Sequence, residues 1–399
     1  MTASVTALPS APQGLSPMRV ALLGPANSIH LQRWARALVE RGHAVCLLSQ
    51  QPCPPQLLPA AVERVELPHH GGLGYLSNAG ALRRHLAAWR ADLLNVHYAS
   101  GPGTTATLAR LKLPVLLSVW GSDVYEFPER SPLHAAWLRR VLRGATAIAS
   151  TSHAMALRVK ELTPEREQVA ITPFGVDVDR FTPLCASDDP LPACANDTPP
   201  PRITIGLFKT LAPVYGVDLL LRAFAGLVQV PGVGAQCDLL IVGDGPQRSE
   251  LEALADRLGI GSRTRFVGAV PHADAPACLR RFDIFVAPSR SESFGVAVLE
   301  ASACGVPVVV SDAGGLPEVA QHGHTGFVVP RENVAALQQA LATLAGDATL
   351  RATQGRQGRE FVVRAFAWAS CVDRMEACYR QLLSQRAVPA DRSTKDLTA

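Results

Sequence analysis

Glu292 and Glu300 bracket the segment Ser293-Phe-Gly295-Val-Ala-Val-Leu-Glu300. The apolar run Ile284-Phe-Val-Ala-Pro288 precedes it, and Cys304-Gly305 and the run Val306–Ser311 follow. This composition encodes strand, loop, helix, glycine stop and strand. The spacing predicts a helix from near Phe294, with Ser291 or Ser293 as its cap. The first N–H groups of a helix have no partner inside it and the dipole is positive there, so a diphosphate suits that end. Glu300, one to two turns in, can accept hydrogen bonds from a vicinal diol such as ribose. Glu292, just before the helix, can reach sugar hydroxyls beyond the phosphate. Taken alone, the pair also fits a capped helix with two solvated glutamates.

The elements that must position these residues alternate along the chain. Strands are predicted at 19–24, Ala44–Ser49, Leu93–His97, 114–119, 146–150 and 169–172, with helices between them, the first at 29–41. The segment 182–202 is dense in Pro, Ala, Ser and Asp and interrupts the pattern as a linker. Strands then resume at Ile203–Phe208, Cys237–Val242, 264–267, Ile284–Ala287, 306–311 and Gly326–Val329, with long helices near 334–345 and 368–383. Apolar strands alternating with helices imply parallel sheets covered on both faces. The expected architecture is two doubly wound α/β domains facing a cleft, with ligands beyond the carboxyl ends of the strands. The expected boundaries are a disordered tail at 1–17, a first domain at 18–182, the linker at 183–202, a second domain at 203–365, a C-terminal helix at 366–385 and a tail at 386–399.

The chain has 399 residues and a net charge of +4, too mild for a nucleic-acid partner. Residues 1–185 carry 18 Lys and Arg against 12 Asp and Glu, whereas the remainder carries 20 against 22. The basic half is therefore the one expected to meet something anionic. Nine scattered cysteines without Cys-x-x-Cys fit reduced thiols in a cytoplasm. No apolar stretch is long enough to span a bilayer, and the first residues do not have the pattern of a signal peptide. Ala81–Arg90 and Trp137–Arg143 are basic amphipathic segments, fit either for an anionic membrane surface or for an ordinary core stripe with a solvated face.

Several further motifs accompany the two glutamates: Arg41-Gly-His-Ala-Val45, Pro173-Phe-Gly-Val-Asp177, Ile241-Val-Gly243-Asp-Gly-Pro246, Gly314-Gly-Leu-Pro-Glu318 and Gly323-His-Thr-Gly326. In this order and spacing they resemble the retaining glycosyltransferases of family 4, over almost the whole ordered chain. The resemblance implies the GT-B fold, with the C-terminal helix crossing back to the first domain. It implies a nucleotide-diphosphate sugar, UDP- or GDP-linked, as a substrate rather than a cofactor. It implies that Glu292 binds the transferred sugar, Glu300 the ribose, and the N–H groups of Phe294, Gly295 and Val296 the distal phosphate, with Ser293 and Gly243 beside them. Lys209 matches the first of the family's two basic residues; the place of the second holds Val214-Tyr215-Gly216. The implied acceptor is a saccharide or a lipid-linked saccharide, used in cell-surface polysaccharide or glycoconjugate synthesis, and the basic first half favours a lipid-linked or polyanionic saccharide at the inner face of the membrane.

On the first domain, His97 and Trp120-Gly-Ser-Asp123 end strands and face the expected cleft. Trp120 stands where family members often have a histidine; it is either a stacking surface for a sugar or core. Asp123 either contacts an acceptor hydroxyl or caps the next helix. Gly24 opens the first strand-to-helix turn, and Asn27, Ser28 and His30 follow it as acceptor candidates. His69–Gly74 reads as a flexible loop. Asp177-Val-Asp179 has the look of a metal-binding Asp-x-Asp but sits in a connector, so it is expected to be a turn, and no metal is expected. The rival functions are a non-catalytic nucleotide-sugar-binding relative, a nucleotide-sugar 2-epimerase or phosphorylase, and a dehydrogenase, which the incomplete glycine fingerprint disfavours.

Overall fold

The computed structural model describes residues 16–183 and 202–387. The expected terminal tails, apart from their innermost residues, and the linker residues 184–201 lie outside the described residues. The chain divides into two compact units. One contains the chain up to Ser150, Arg158–Ala170 and the chain from Val372 onward; the other contains Thr151–Leu157 and Ile171–Cys371.

The first unit is built on a parallel sheet of β1 (Arg19–Leu23), β2 (Ala44–Ser49), β3 (Val62–Glu66), β4 (Leu93–His97), β5 (Val115–Ser118), β6 (Ala147–Ser150) and β7 (Ala170–Ile171). Its strand order is β3-β2-β1-β4-β5-β6-β7. The central strands are buried on both faces, which is why they read as unbroken apolar runs. The sequence reading missed β3: Val-Glu-Arg-Val-Glu lies at the sheet edge with mostly exposed side chains, so it carries no apolar run. The expected flexible loop at His69–Gly74 is also corrected, because Gly71–Ser77 is a helix. Asn78, fully buried, accepts from His69 N–H and donates to His69 O, which ties the segment down. A Cβ on Gly74 would stand 2.5 Å from His69 O, so only glycine fits there.

The second unit is a six-stranded parallel sheet, β8 (Ile203–Phe208), β9 (Cys237–Val242), β10 (Thr264–Gly268), β11 (Ile284–Ala287), β12 (Val308–Ser311) and β13 (Gly326–Val329). Its order is β10-β9-β8-β11-β12-β13. Leu220, Phe224, Ile241, Val286, Leu337 and Leu341 belong to its core. The helix Ala348–Phe366 is absent from the sequence reading because it is rich in Gln, Arg and Gly. Its glycines serve close packing: a Cβ on Gly355 would lie 2.0 Å from Gly305 O.

The last helix, Trp368–Ala387, belongs to the second unit as far as Cys371 and to the first from Val372. In the first unit, Asp373 pairs with Arg41 at 2.6 Å and the buried Glu376 meets His43 Nε2 at 3.0 Å. His43 Nδ1 accepts from Met18 N–H, so Nε2 carries the proton that Glu376 receives. This helix thus does what the resemblance implies for it.

Candidate active site

Lys209 immediately follows β8, and the turn after β9 holds it in place. Its N–H donates to Val242 O, and Gly243, at φ 138°, packs against its carbonyl. A Cβ on Gly243 would stand 1.9 Å from Lys209 O. Replacing Gly243 with alanine is therefore expected to cost about 3 kcal/mol or more, seen as a lowered thermal midpoint. Gly243 serves the site by letting β8 and β9 end side by side.

The Lys209 ammonium lies 2.7 Å from Glu292 Oε2 and 4.4 Å from the centre of the Tyr215 ring. Tyr215 thus offers a π face where the family pattern has a cation. Its turn is stapled in place: Arg290 N–H and Ser291 N–H donate to Val214 O, and Arg290 Nη1 donates to Pro213 O. Gly216, at φ 63°, closes the turn, and a Cβ there would meet Pro288 O at 2.2 Å. Arg290 does not replace the missing cation. It is bound bidentately by Asp218 and also by Glu332, and the Asp218 hydrogen bond pushes its pKa up.

The helix after β11 runs from Val296 to Ala303, not from near Phe294. The expected serine cap is also corrected: Gly295, at φ 103°, is the N-cap, and no side chain caps the helix. A Cβ on Gly295 would press on Leu316 at 2.8 Å. Among the described residues, the N–H groups of Gly295, Val296 and Ala297 have no hydrogen-bond partner. The Phe294 side chain is buried against Phe174 and Phe366, so only its backbone faces the helix start. Ser293 uses its carbonyl to accept from Ser152 Oγ. Glu318 accepts from the N–H groups of His153 and Ala154 at 2.8 Å each, a role the sequence did not disclose.

Glu300 is 4% exposed and its Oε1 lies 3.0 Å from His272 Nε2. Arg180 holds the imidazole from the other side, with Nη1 3.4 Å from Nδ1 and Nη2 bonded to the His272 carbonyl. A guanidinium only donates, so Nδ1 accepts and Nε2–H points at Glu300. Nothing in the sequence pattern singles out His272; it lies in a turn after β10 whose neighbours become informative only in three dimensions. Asp177, in the Asp-x-Asp connector, accepts from the N–H groups of Asp179 and Arg180, so it shapes this turn.

The first unit gathers Gly24, His97, Trp120 and Asp123 at the carboxyl ends of β1, β4 and β5. Trp120 is half-buried, with edge-on rings of His30 at 5.9 Å, His97 at 5.7 Å and Tyr98 at 6.2 Å. Asp123 is fully buried and accepts from the N–H groups of Ala99, Trp120 and Gly121. Burial pushes its carboxyl up, and those N–H donors pull it back. Its role here is to clamp the loops after β4 and β5, neither presenting a free carboxylate nor capping a helix in the usual way. Both basic amphipathic segments bury their apolar faces, through Leu82 and Leu86 in one helix and Leu138, Val141 and Leu142 in the other.

His97 is fully buried, and neither ring nitrogen has a hydrogen-bond partner among the described residues. Burial, with His30 nearby, lowers its pKa from 6.5 to about 3. A histidine kept neutral in the fold favours the native state fully above the unfolded pKa. That advantage fades as pH falls from 6.5 towards 3, by roughly 1 kcal/mol per pH unit. The thermal midpoint of the wild type is expected to drop more steeply between those limits than that of His97→Asn.

Known proteins resemble this chain across both units. A GDP-mannose-dependent alpha-(1-6)-phosphatidylinositol monomannoside mannosyltransferase of Mycobacterium tuberculosis is 32% identical over 59% of this chain and 62% of its own length. A D-inositol 3-phosphate glycosyltransferase of Streptomyces avermitilis is 35% identical over 55% of this chain and 48% of its own. The chain thus spans about half to three fifths of the length of the curated relatives it matches. Among solved structures, sucrose-phosphate synthase of Thermosynechococcus elongatus superposes with a TM-score of 0.79 at 23% identity, covering 92% of this chain and 99% of that one. Anabaena HepE, solved with UDP and glucose, gives 0.72 at 21% identity, covering 91% of this chain and all of that one. These similarities establish a common two-sheet fold, GT-B. The family model for group 1 glycosyl transferases matches residues 195–361, and that for glycosyl transferase 4-like proteins matches residues 19–152. The chain belongs to the family 4-type glycosyltransferases of the GT-B fold.

Proposed function

We propose that the protein moves a sugar from a nucleotide-diphosphate donor to a hydroxyl of a saccharide or lipid-linked acceptor, with retention at the anomeric carbon and without a metal. The observation that carries this reading is the cluster in the second unit. A lysine paired to a glutamate sits after β8, the same glutamate precedes a helix whose first N–H groups lack partners among the described residues, and a buried carboxylate lies farther along that helix.

In this reading the helix start and Lys209 hold the diphosphate, Glu300 the ribose and Glu292 the sugar hydroxyls. The anomeric C–O bond to the phosphate breaks, and the acceptor oxygen bonds to that carbon from the same face. The acceptor proton passes to the departing phosphate oxygen, whose growing charge Lys209 and the helix start stabilise. The donor is GDP- or UDP-linked: a curated relative is described as GDP-mannose-dependent, and a structural neighbour was solved with UDP.

The proposed setting is the cytoplasm, at an anionic inner membrane face, in cell-surface polysaccharide or glycoconjugate synthesis. Among the described residues, no helix is long and apolar enough to cross a membrane. A thermal-shift screen with UDP, GDP, ADP and their sugars tests the donor side. Clear stabilisation by one nucleotide names the base, and no stabilisation by any would sink the reading.

A further inference from the structure

The Lys209 ammonium has two neighbours of different kinds. One is the Glu292 carboxylate, with Oε2 at 2.7 Å. The other is the face of the Tyr215 ring, whose centre lies 4.4 Å away. The ring face presents negative potential to a cation, and the phenol hydroxyl takes no part in this contact. The Lys209 side chain is 24% exposed and that of Glu292 10%, so the ammonium is mostly withdrawn from water, where a cation–ring contact is strongest.

The two neighbours differ in what else they have to do. In the proposed reaction Glu292 serves the sugar hydroxyls while the ammonium serves the departing phosphate oxygen, so the carboxylate cannot be the lysine's only anchor. The ring has no second duty. It is uncharged, it does not compete with a diphosphate for the ammonium's three N–H groups, and the ammonium can turn above its face without losing the contact. The backbone around the ring is fixed accordingly. Tyr215 ends the short turn Pro213–Tyr215, and Gly216 caps the helix Val217–Val228 that follows. Asp218, in the first turn of that helix, and Glu332 grip Arg290. Arg290 donates in turn to Pro213 O, and the N–H groups of Arg290 and Ser291 donate to Val214 O. Glu292 comes next in the chain, and its carbonyl accepts from Gly315 N–H. Ring and carboxylate thus stand on two chain segments bonded to each other.

We propose that Tyr215 is a positioning residue: its ring face keeps the Lys209 ammonium at the departing phosphate while Glu292 serves the sugar. This rests on the transferase reading and deepens it. The aromatic side chain that stands in place of a cation of the family pattern acquires a function of its own, exerted through Lys209.

The test is steady-state transfer by Tyr215→Leu, by Tyr215→Phe and by Tyr215→Phe proteins with increasing ring fluorination at that position. Fluorine weakens the π face stepwise with little change of shape, so folding is not at stake in that series. Tyr215→Leu should lower kcat about tenfold with the donor KM within about threefold, since the ammonium is needed most where phosphate charge grows. Tyr215→Phe should recover most of that loss, and log kcat should fall with each added fluorine. A second readout does not depend on turnover. The Lys209 ε-methylene proton resonances, displaced upfield by the ring current, should stay displaced when UDP or GDP binds and return to their ordinary position in Tyr215→Leu. Undiminished kcat in Tyr215→Leu, indifference to fluorination, or a displacement lost on nucleotide binding would each overturn the proposal. So would a Tyr215→Phe protein as slow as Tyr215→Leu, which would move the role to the hydroxyl. Those results leave the transferase reading intact, because the wild type still turns over. Neither transfer nor nucleotide binding by the wild type would sink that reading, and the proposal with it.

Discussion

Replacing Lys209 with alanine should slow sugar transfer by about 100- to 1,000-fold, with the thermal midpoint little changed. The magnitude follows from what surrounds the ammonium. Diphosphate departure places negative charge beside the residue that ends β8, and the family pattern has two cations there. In this chain the second place is Tyr215, whose ring lies 4.4 Å from the Lys209 ammonium and carries no charge to offer. Arg290 is bound by Asp218 and Glu332 and braces the turn instead. Lys209 is therefore expected to matter more here than either cation would in a two-cation site. Steady-state transfer by Lys209→Ala and Lys209→Arg checks this: the arginine should restore part of the rate, and a loss below tenfold in the alanine variant would show that the charge is met elsewhere. Glu292→Gln should also impair transfer, because it exchanges the charged partner of Lys209 for a neutral amide and replaces one of the two acceptor oxygens that face sugar hydroxyls with a donor.

The second large effect is on nucleotide binding. Glu300→Ala should weaken the nucleoside diphosphate by about 30- to 100-fold, the worth of hydrogen bonds from a diol to a buried carboxylate. The wild type should prefer the ribonucleotide over its 2′-deoxy counterpart, and Glu300→Ala should lose that preference. His272→Ala should fall between them, because Glu300 would remain but lose the Nε2–H that orients it. His272→Gln, which can supply an N–H to the same oxygen, should recover most of the affinity. Calorimetric titration of the four proteins with both nucleotides separates these outcomes. Equal binding by wild type and Glu300→Ala would remove the ribose role.

These two predictions rest on residues of unequal visibility. Lys209, Glu292 and Glu300 were legible because a charged residue at a strand end or helix start breaks an apolar pattern, and their spacing resembles a family. His272 was not, since its meaning depends on two residues distant in sequence, Glu300 and Arg180, meeting its ring from opposite sides. The helix start shows a similar limit. Ser291 and Ser293 are good caps by type, yet Gly295 took the position because the backbone there has φ 103° and Leu316 packs close. Most strands were visible as apolar runs, whereas β3 was hidden by its edge position and the helix Ala348–Phe366 by its polar composition and packing glycines. Asp123 carried the right residue type for an acceptor contact, but three backbone N–H groups claim its carboxylate.

The most direct test is the release of nucleoside diphosphate from UDP- and GDP-sugars, measured with and without saccharide and lipid-linked saccharide acceptors. The expected result is acceptor-dependent release from one donor by the wild type, reduced at least 100-fold in Lys209→Ala. Tight binding of a nucleotide-sugar with no release in the presence of any acceptor would contradict the account and leave a non-catalytic nucleotide-sugar-binding protein.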